Sequence, residues 1–285
     1  MELVGLSLST GAIYALVGLG MAVIYQATGV FNFAQGQLVT VLAYVGLSLL
    51  RAHWPFFAAA GLDLVFAQGA GMALWVLVRP FRTRPPLVTS MATLSLYLVL
   101  RDLVVPIWGA DPLVLPAPWA HGEWRLGGMA LSSAQGVAIL VAALVAAGMA
   151  AFFRRTRMGI ALRAVRDHPQ AASLMGVDAD RLGFVVFGAA TVIGAVAGLV
   201  LAPMTVVAPT MMDEPTLGAF AALVLGGIDT PWGVLLGAMG LGGLETVAGY
   251  YLASIWKEAV PLLAVLAVVV IRAGGLLGGE EVPRA

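Results

Sequence analysis

Long apolar runs alternate with short polar segments along this chain. A bilayer crossing takes about 20 mostly apolar residues, and by that rule we predict spans at residues 3–25, 30–50, 56–78, 87–107, 131–153, 182–206, 232–252 and 256–271. A further stretch, 217–228, is only about a dozen residues long, which favours a re-entrant or tilted half-helix lying against protein. The pattern predicts an all-α, polytopic membrane bundle of about eight long spans plus one short helix, forming one domain over residues 1–285.

The polar segment between the fifth and sixth predicted spans, residues 154–181, is rich in arginine. It reads RRTRMGIALRAVRDHPQAASLMGVDADR and holds six of the 15 lysines and arginines. Because basic residues beside spans stay on the cytoplasmic side, we expect this segment to be cytoplasmic. A second cluster (Arg79, Arg82 and Arg84) lies two spans earlier and therefore on the same side. The loop at 108–130 and the N-terminus are then outside, and the tail after Arg272 is inside if the short piece crosses.

Two short helices are predicted within residues 154–181. The first covers 158–166, and Asp167 is placed to cap the second, with Pro169 in its first turn and Gly176 ending it. The second helix presents a small apolar face formed by Ala171, Ala172 and Leu174. Such a face either seats in a groove of a partner protein or rests on the bilayer surface.

Polar residues at membrane depth form a second set of candidates, since charges inside a span usually face protein or water. Glu245 lies about two-thirds along its span, and Asp63 about a third of the way into its own. Either could make a structural hydrogen bond or line a polar path. The run YQATGVFNFAQGQ at 25–37 interrupts an apolar stretch. Broken helices often form binding or gating sites, so Asn32 belongs either to a path or to an ordinary cytoplasmic turn.

Composition excludes several classes of protein. A charged fraction of 11% and a mean hydropathy of +0.97 exclude a soluble domain, which would carry about a quarter charged residues. The absence of cysteine excludes disulfides, thiolate metal sites and cysteine nucleophiles. The three histidines are far apart and show no metal-ligand spacing. The chain has no G-x-x-x-x-G-K-[ST] loop, so ATP-driven transport would need the nucleotide chemistry of another subunit.

Four ordered motifs resemble one family. They are GAIYALVGLGMAVIYQATGVFNFAQGQ, RMGIALRAVRDHPQAASLMGVDADR, FAALVLGGIDTPWGVLLGAMGLGGLET and RAGGLLG. They resemble the membrane permeases of bacterial branched-chain amino-acid ABC importers, and more narrowly the H-type subunit of the leucine/isoleucine/valine system. The resemblance implies an ATPase-coupling set of Gly159, Arg163, Asp167, Ala171, Ala172, Leu174 and Gly176. Together with the polar interruption it gives a translocation-path set of Asn32, Phe33, Gln35, Gly36 and Glu245. Gln35 stands where the family's NFAHG motif has His, which weakens any titratable role there.

The resemblance also implies an assembly in the inner membrane of a bacterium. We expect a non-catalytic permease subunit that binds no cofactor itself, paired with a second, related permease. Two cytoplasmic ATPases carrying ATP and Mg and a periplasmic solute-binding protein would complete the importer, surrounded by lipid and without nucleic acid. Importers of urea, short amides or another small polar solute remain alternatives, as does an ion-coupled carrier or channel. An intramembrane enzyme is disfavoured because no catalytic arrangement stands out at any one depth.

Overall fold

The computed structural model describes residues 2–81, 84–120, 122–126, 129–228, 230–252 and 254–271. The chain divides into two compact units. Unit 1 comprises Met1–Ala22, His121–Ala150 and Glu214–Ala285, and unit 2 comprises Val23–Ala120 and Ala151–Asp213. The prediction of one transmembrane permease domain over residues 1–285 stays a prediction.

Helices make up nearly all of the described structure, as the apolar pattern predicts. In chain order they are α1 (Glu2–Thr28), α2 (Ala34–Arg51), α3 (Phe56–Val78), α4 (Pro86–Trp108), α5 (Ser133–Arg155), α6 (Arg157–Asp167), α7 (Pro169–Leu174), α8 (Ala179–Leu201), α9 (Asp213–Gly226), α10 (Pro231–Tyr251) and α11 (Ser254–Ile271), with a 3₁₀ turn at Arg79–Phe81.

Within the described residues, six helices are long and apolar enough to cross a membrane: α1, α3, α4, α5, α8 and α10. The predicted count of about eight long spans is therefore not confirmed. Helix α2 has only 18 residues and carries Gln35, Gln37 and Thr40 in its first turns. In α11 only the short stretch Ala259–Val268 qualifies as an apolar helix. Helix α9, at 14 residues, spans about 21 Å and is too short to cross about 30 Å of hydrocarbon.

Glycine and proline set the helix boundaries that differ from the prediction. Helix α2 begins at Ala34 rather than at residue 30, because Gly29 adopts a left-handed φ of 69° that ends α1. Helix α8 ends at Leu201 rather than at residue 206, since Pro203 follows its C-cap and cannot continue the helical hydrogen bonding. Helix α3 matches the predicted span 56–78, which prolines flank on both sides.

A two-stranded hairpin in unit 1 departs from the all-α prediction. Strands β1 (Glu123–Leu126) and β2 (Met129–Ser132) pair antiparallel, with Glu123 opposite Ser132. The sequence places Gly127-Gly128 between them, and Gly-Gly between two short strands is a recognised hairpin signal. The loop predicted at 108–130 therefore includes regular structure at its end.

Small residues bring the helices of unit 2 into close contact. A Cβ added to Gly71 of α3 would lie 2.4 Å from Phe187 O of α8, and one added to Gly183 of α8 would lie 2.4 Å from the Trp75 ring. Added to Gly198, it would lie 3.0 Å from Val39 of α2. Helices α2, α3 and α8 thus pack as glycine-rich membrane helices do, with backbones approaching closely.

In unit 1, glycines likewise allow the backbones of α1 and α10 to approach closely. A Cβ on Gly242 would lie 2.4 Å from Gly11 N, and one on Gly11 would lie 2.8 Å from Met239 Cα. No larger side chain fits at this crossing, so the two helices are held backbone to backbone. The buried residues beside it, Tyr14 and Glu245, are positioned by that contact.

Candidate functional site

The predicted coupling segment begins at a well-built helix start. Thr156 caps α6, its hydroxyl accepting a hydrogen bond from Gly159 N at 3.0 Å. Gly159 is buried, and a Cβ there would lie 2.4 Å from Phe152 O and 2.7 Å from Phe153 Cα. Gly159 therefore allows the start of α6 to fold back onto the end of α5, which makes it a positioning residue for the segment.

The second short helix is capped differently from the prediction. His168, rather than Asp167, is the N-cap of α7, and Asp167 is the last residue of α6. The reason is that α6 runs one residue beyond the predicted end at 166. Pro169 occupies the first turn as predicted. Only the backbone of Asp167 is described, so its predicted coupling role stays a prediction.

Gly176 ends the second helix as predicted. Its φ of 82° lies in the left-handed region. Gly176 N donates to Ser173 O at 3.0 Å, and Val177 N donates to Ala172 O at 3.0 Å. This pair of bonds is the Schellman arrangement, which favours glycine at this position.

The structure divides the predicted apolar face of α7 in two. Ala172 is buried, with 4% of its surface exposed, whereas the side chain of Leu174 is 88% exposed. Ala171 and Arg163 are also exposed. A large apolar side chain left this open is suited to contact with another surface. Arg163, Ala171 and Leu174 are therefore members of the coupling set whose side chains are available for contact, and Gly176 is exposed beside them.

An ion pair ties the end of this segment to the second arginine cluster. Asp178 caps α8, and hydrogen bonds from the backbone of Arg181 and Asp180 hold the pKa of its carboxyl below the usual range. Arg79 pairs with Asp180 at 2.9 Å. The start of α8 thus lies beside Arg79, in agreement with both clusters being on one side. Arg82 and Arg272 lie outside the described residues.

The polar interruption between α1 and α2 is an ordered, non-helical connection. Thr93 of α4 accepts a hydrogen bond from Phe33 N at 3.3 Å, and its hydroxyl lies 3.2 Å from Phe31 O. Gly36 N donates to Phe33 O at 3.1 Å as α2 begins. The backbone at 31–33 is therefore held by another helix, as expected for irregular structure at membrane depth.

Asn32 projects into a small cavity of unit 2. Its side chain is 1% exposed, and among the described residues neither its Oδ1 nor its Nδ2 has a hydrogen-bond partner. The cavity measures about 10 Å³ and is lined also by Thr93, Trp75 and Phe187, which leaves room for about one water molecule. A buried amide with both functions free in a cavity suits contact with a mobile polar molecule.

Gln35, by contrast, is fully used in joining α2 to α8. Its Nε2 donates to Ala190 O at 2.8 Å, and its Oε1 lies 3.3 Å from the Thr191 hydroxyl. Gly194 leaves the space that the amide occupies, since a Cβ there would lie 2.7 Å from Gln35 Nε2. This geometry supports a structural role for Gln35, while its assignment to a path stays a prediction.

Glu245 lies in unit 1 and accepts a hydrogen bond from Tyr14 OH at 2.5 Å. Both side chains are buried. The Tyr14 ring packs against Gly218, where a Cβ would lie 2.5 Å from the ring. The structural hydrogen bond considered for Glu245 is therefore present, and it joins α1 to α10.

The candidate residues predicted to lie at membrane depth are divided between the two units. Asn32, Phe33, Gln35 and Gly36 belong to unit 2 and Glu245 to unit 1. Asp63 belongs to unit 2, where its fully buried carboxyl lies 3.7 Å from the position of a Cβ on Gly46 of α2.

Two polar sets in unit 2 are not among the candidate site residues predicted from the sequence. Gln37 and Thr40 are fully buried on α2. Arg101 of α4 pairs with Asp213 at 3.2 Å, and Tyr97 OH also donates to Asp213. The available signal was the same in both cases, namely polar residues three or four positions apart in an apolar helix.

Comparison with known proteins places the chain among transport permeases. The family model described as "Branched-chain amino acid transport system / permease component" matches residues 3–269. The high-affinity branched-chain amino acid transport system permease protein LivH of Salmonella typhimurium is 28% identical over 290 residues, covering 96% of this chain and 94% of its own. The corresponding protein BraD of Pseudomonas aeruginosa is 27% identical, covering 97% and 95%. A probable LivH of Methanocaldococcus jannaschii is 27% identical, covering 92% and 88%. No solved structure matches the chain.

Proposed function

Because the chain belongs to the family of branched-chain amino acid transport system permease components, we propose that it is the membrane permease subunit of an ATP-driven importer. The solute class is branched-chain amino acids, as in the names of the relatives. The protein is a multi-pass membrane protein, and we place it in the inner membrane of a bacterium.

The observation that carries the proposal is the extent of the family match. Residues 3–269 include all six membrane-capable helices and the α6–α7 segment between α5 and α8. A match confined to the apolar spans would indicate only a membrane protein. A match that also covers the polar α6–α7 segment supports a shared transport mechanism.

We assign the chemistry of ATP hydrolysis to partner subunits. The chain has no phosphate-binding loop, so ATP and Mg belong to two cytoplasmic ATPases and this subunit has no catalytic role of its own. A second, related permease and a periplasmic solute-binding protein complete the proposed assembly. The binding protein would deliver the solute to the outer face.

Coupling in this proposal runs through the α6–α7 segment by alternating access. Arg163, Ala171 and Leu174 contact the ATPase, because they are exposed. Three other members set the shape of the segment. Gly159 allows α6 to fold back onto α5, Ala172 is buried, and Gly176 ends α7. Closure of the ATPases would push α6 and α7 and tilt α5 and α8, to which they are joined, so that the path opens alternately outward and inward.

Co-purification tests the assembly directly. A tagged chain, extracted from its native membrane in mild detergent, should retain a second permease and two ATPase subunits, identified by mass spectrometry. A chain that purifies alone, and that accumulates solute in liposomes on an ion gradient, would contradict the proposal and favour a carrier.

A further inference from the structure

Two buried polar side chains on α2 have hydrogen-bonding capacity that the described protein does not use. Gln37 and Thr40 are both 0% exposed. Among the described residues, neither Gln37 Oε1 nor Thr40 Oγ1 has a hydrogen-bond partner. A buried polar atom without a partner is destabilising, so two on adjacent turns of one helix call for an explanation.

The orientation of the Gln37 amide is fixed by its environment. Its nitrogen donates to Pro209 O at 3.1 Å. A carbonyl oxygen can only accept, so the NH₂ group must be on that side and Oε1 on the other. Gln37 Oε1 is therefore an acceptor that the contact with Pro209 does not use.

Helical spacing separates these residues from the packing face of α2. Residues 35, 39 and 46 lie on one side, and they contact α8 and α3 through Ala190, Gly194 and Asp63. Gln37 and Thr40, three positions apart, lie on a different face about 150° away from it. Tyr44 continues this second face, with its OH 3.4 Å from Val207 O.

The position of the pair along α2 fits a path through the membrane. Thr40 lies about 9 Å along the helix axis from Ala34. Helix α2 is not among the described helices that could cross a membrane alone. Its polar residues Gln37 and Thr40 are nevertheless fully buried. Polar side chains buried within a membrane protein usually face the protein interior or a water-filled cavity, where they can meet a solute.

We propose that Gln37 and Thr40 form a solute-contact site that takes the main-chain head of an α-amino acid. Gln37 Oε1 accepts from the ammonium group, and the Thr40 hydroxyl donates to the carboxylate. The pair offers one acceptor and one donor on adjacent turns, which complements a zwitterion whose two charged groups are on one carbon. This inference rests on the proposed function, since it assumes that the solute is an amino acid.

The replacement Thr40→Val tests the site because it separates stability from transport. Removing an unpartnered buried hydroxyl should leave the melting temperature of the complex unchanged or raised. Losing a hydrogen bond to a charged group should lower the rate of ATP-driven leucine uptake about ten- to hundredfold at saturating binding protein. The variant Thr40→Ser keeps the hydroxyl and should retain uptake.

Thr191→Val is the matched control. Thr191 is equally buried, but its hydroxyl lies 2.8 Å from Phe187 O and 3.3 Å from Gln35 Oε1. Its loss should lower the melting temperature, with uptake per folded complex unchanged.

The outcomes separate the two proposals. If the wild-type complex takes up leucine and the Thr40→Val variant takes it up at the same rate, the site is overturned and the proposed function stands. The site is likewise overturned if the uptake of the variant falls only in proportion to its loss of stability. A wild-type complex that imports no leucine under ATP overturns the proposed solute, and the site with it.

Discussion

Tyr14 and Glu245 show how one polar contact can hold two membrane helices together. The tyrosine hydroxyl donates to the carboxylate at 2.5 Å, in a buried part of unit 1 where Gly218 makes room for the ring. A carboxylate in such a place is tolerated only with a donor nearby. The contact is therefore expected to contribute to the free energy of unfolding.

Replacing Tyr14 with Phe should lower the stability of the protein by about 1–3 kcal/mol, because the buried carboxylate loses this hydrogen bond. Thermal unfolding in detergent measures this effect. Tyr250→Phe is the control, since Tyr250 is exposed on α10 and its hydroxyl should be dispensable. Equal melting temperatures for the two variants would show that the Tyr14 hydrogen bond contributes nothing.

At single positions, the sequence predicts local backbone features better than partners. Gly176 was recognisable as a helix end because an αL glycine is a local requirement. The partner of Gln35 was not, because Ala190 and Thr191 lie more than 150 residues away in sequence. The free acceptor of Gln37 could not be predicted either, since it depends on where the loop carbonyl of Pro209 lies.

Among the helices, the contact between α3 and α8 depends on Gly71. A methyl group there would lie 2.4 Å from Phe187 O and 2.5 Å from Thr191 Oγ1. Gly71→Ala should therefore destabilise the protein by about 1–3 kcal/mol through overpacking, seen as a lower melting temperature. Gly69→Ala, two residues away on the same helix, meets nothing within 4 Å and should not destabilise. A Gly71→Ala variant as stable as Gly69→Ala would refute this close packing.

The exposed face of the α6–α7 segment makes a separate prediction about coupling. Leu174→Glu should leave the melting temperature unchanged, because the side chain is 88% exposed. It should lower ATP-driven uptake about tenfold or more, since a charge placed in an apolar groove is costly to desolvate. Leu174→Met, similar in size and apolar, should transport normally. Full uptake by the Glu variant would favour a segment that rests on the bilayer.

Element by element, hydropathy predicts most helices but not which of them can cross lipid alone. The α3 bounds follow from prolines on either side of an apolar run. The mostly apolar run at 30–50 predicts a span, yet the polar first turns of α2 exclude it from the six membrane-capable helices of the described residues. His168 caps α7 because α6 is one residue longer than predicted. Helix propensities do not fix the end of a helix to a single residue.

For the whole molecule, the central claim is that solute movement through this chain depends on ATP hydrolysed elsewhere. The family match across residues 3–269 and the missing phosphate-binding loop support it. Three hypotheses concern how solute movement depends on ATP hydrolysis. They are the path residues, the exposed coupling face of α6–α7 and the two-residue site on α2.

Uptake of labelled leucine by the purified complex in liposomes tests this claim most directly. We predict accumulation only when the solute-binding protein is present outside and ATP hydrolysis proceeds on the side of the α6–α7 segment, with none when ATP is replaced by a non-hydrolysable analogue. Accumulation by this chain alone, driven by an ion gradient without ATP, would contradict the account.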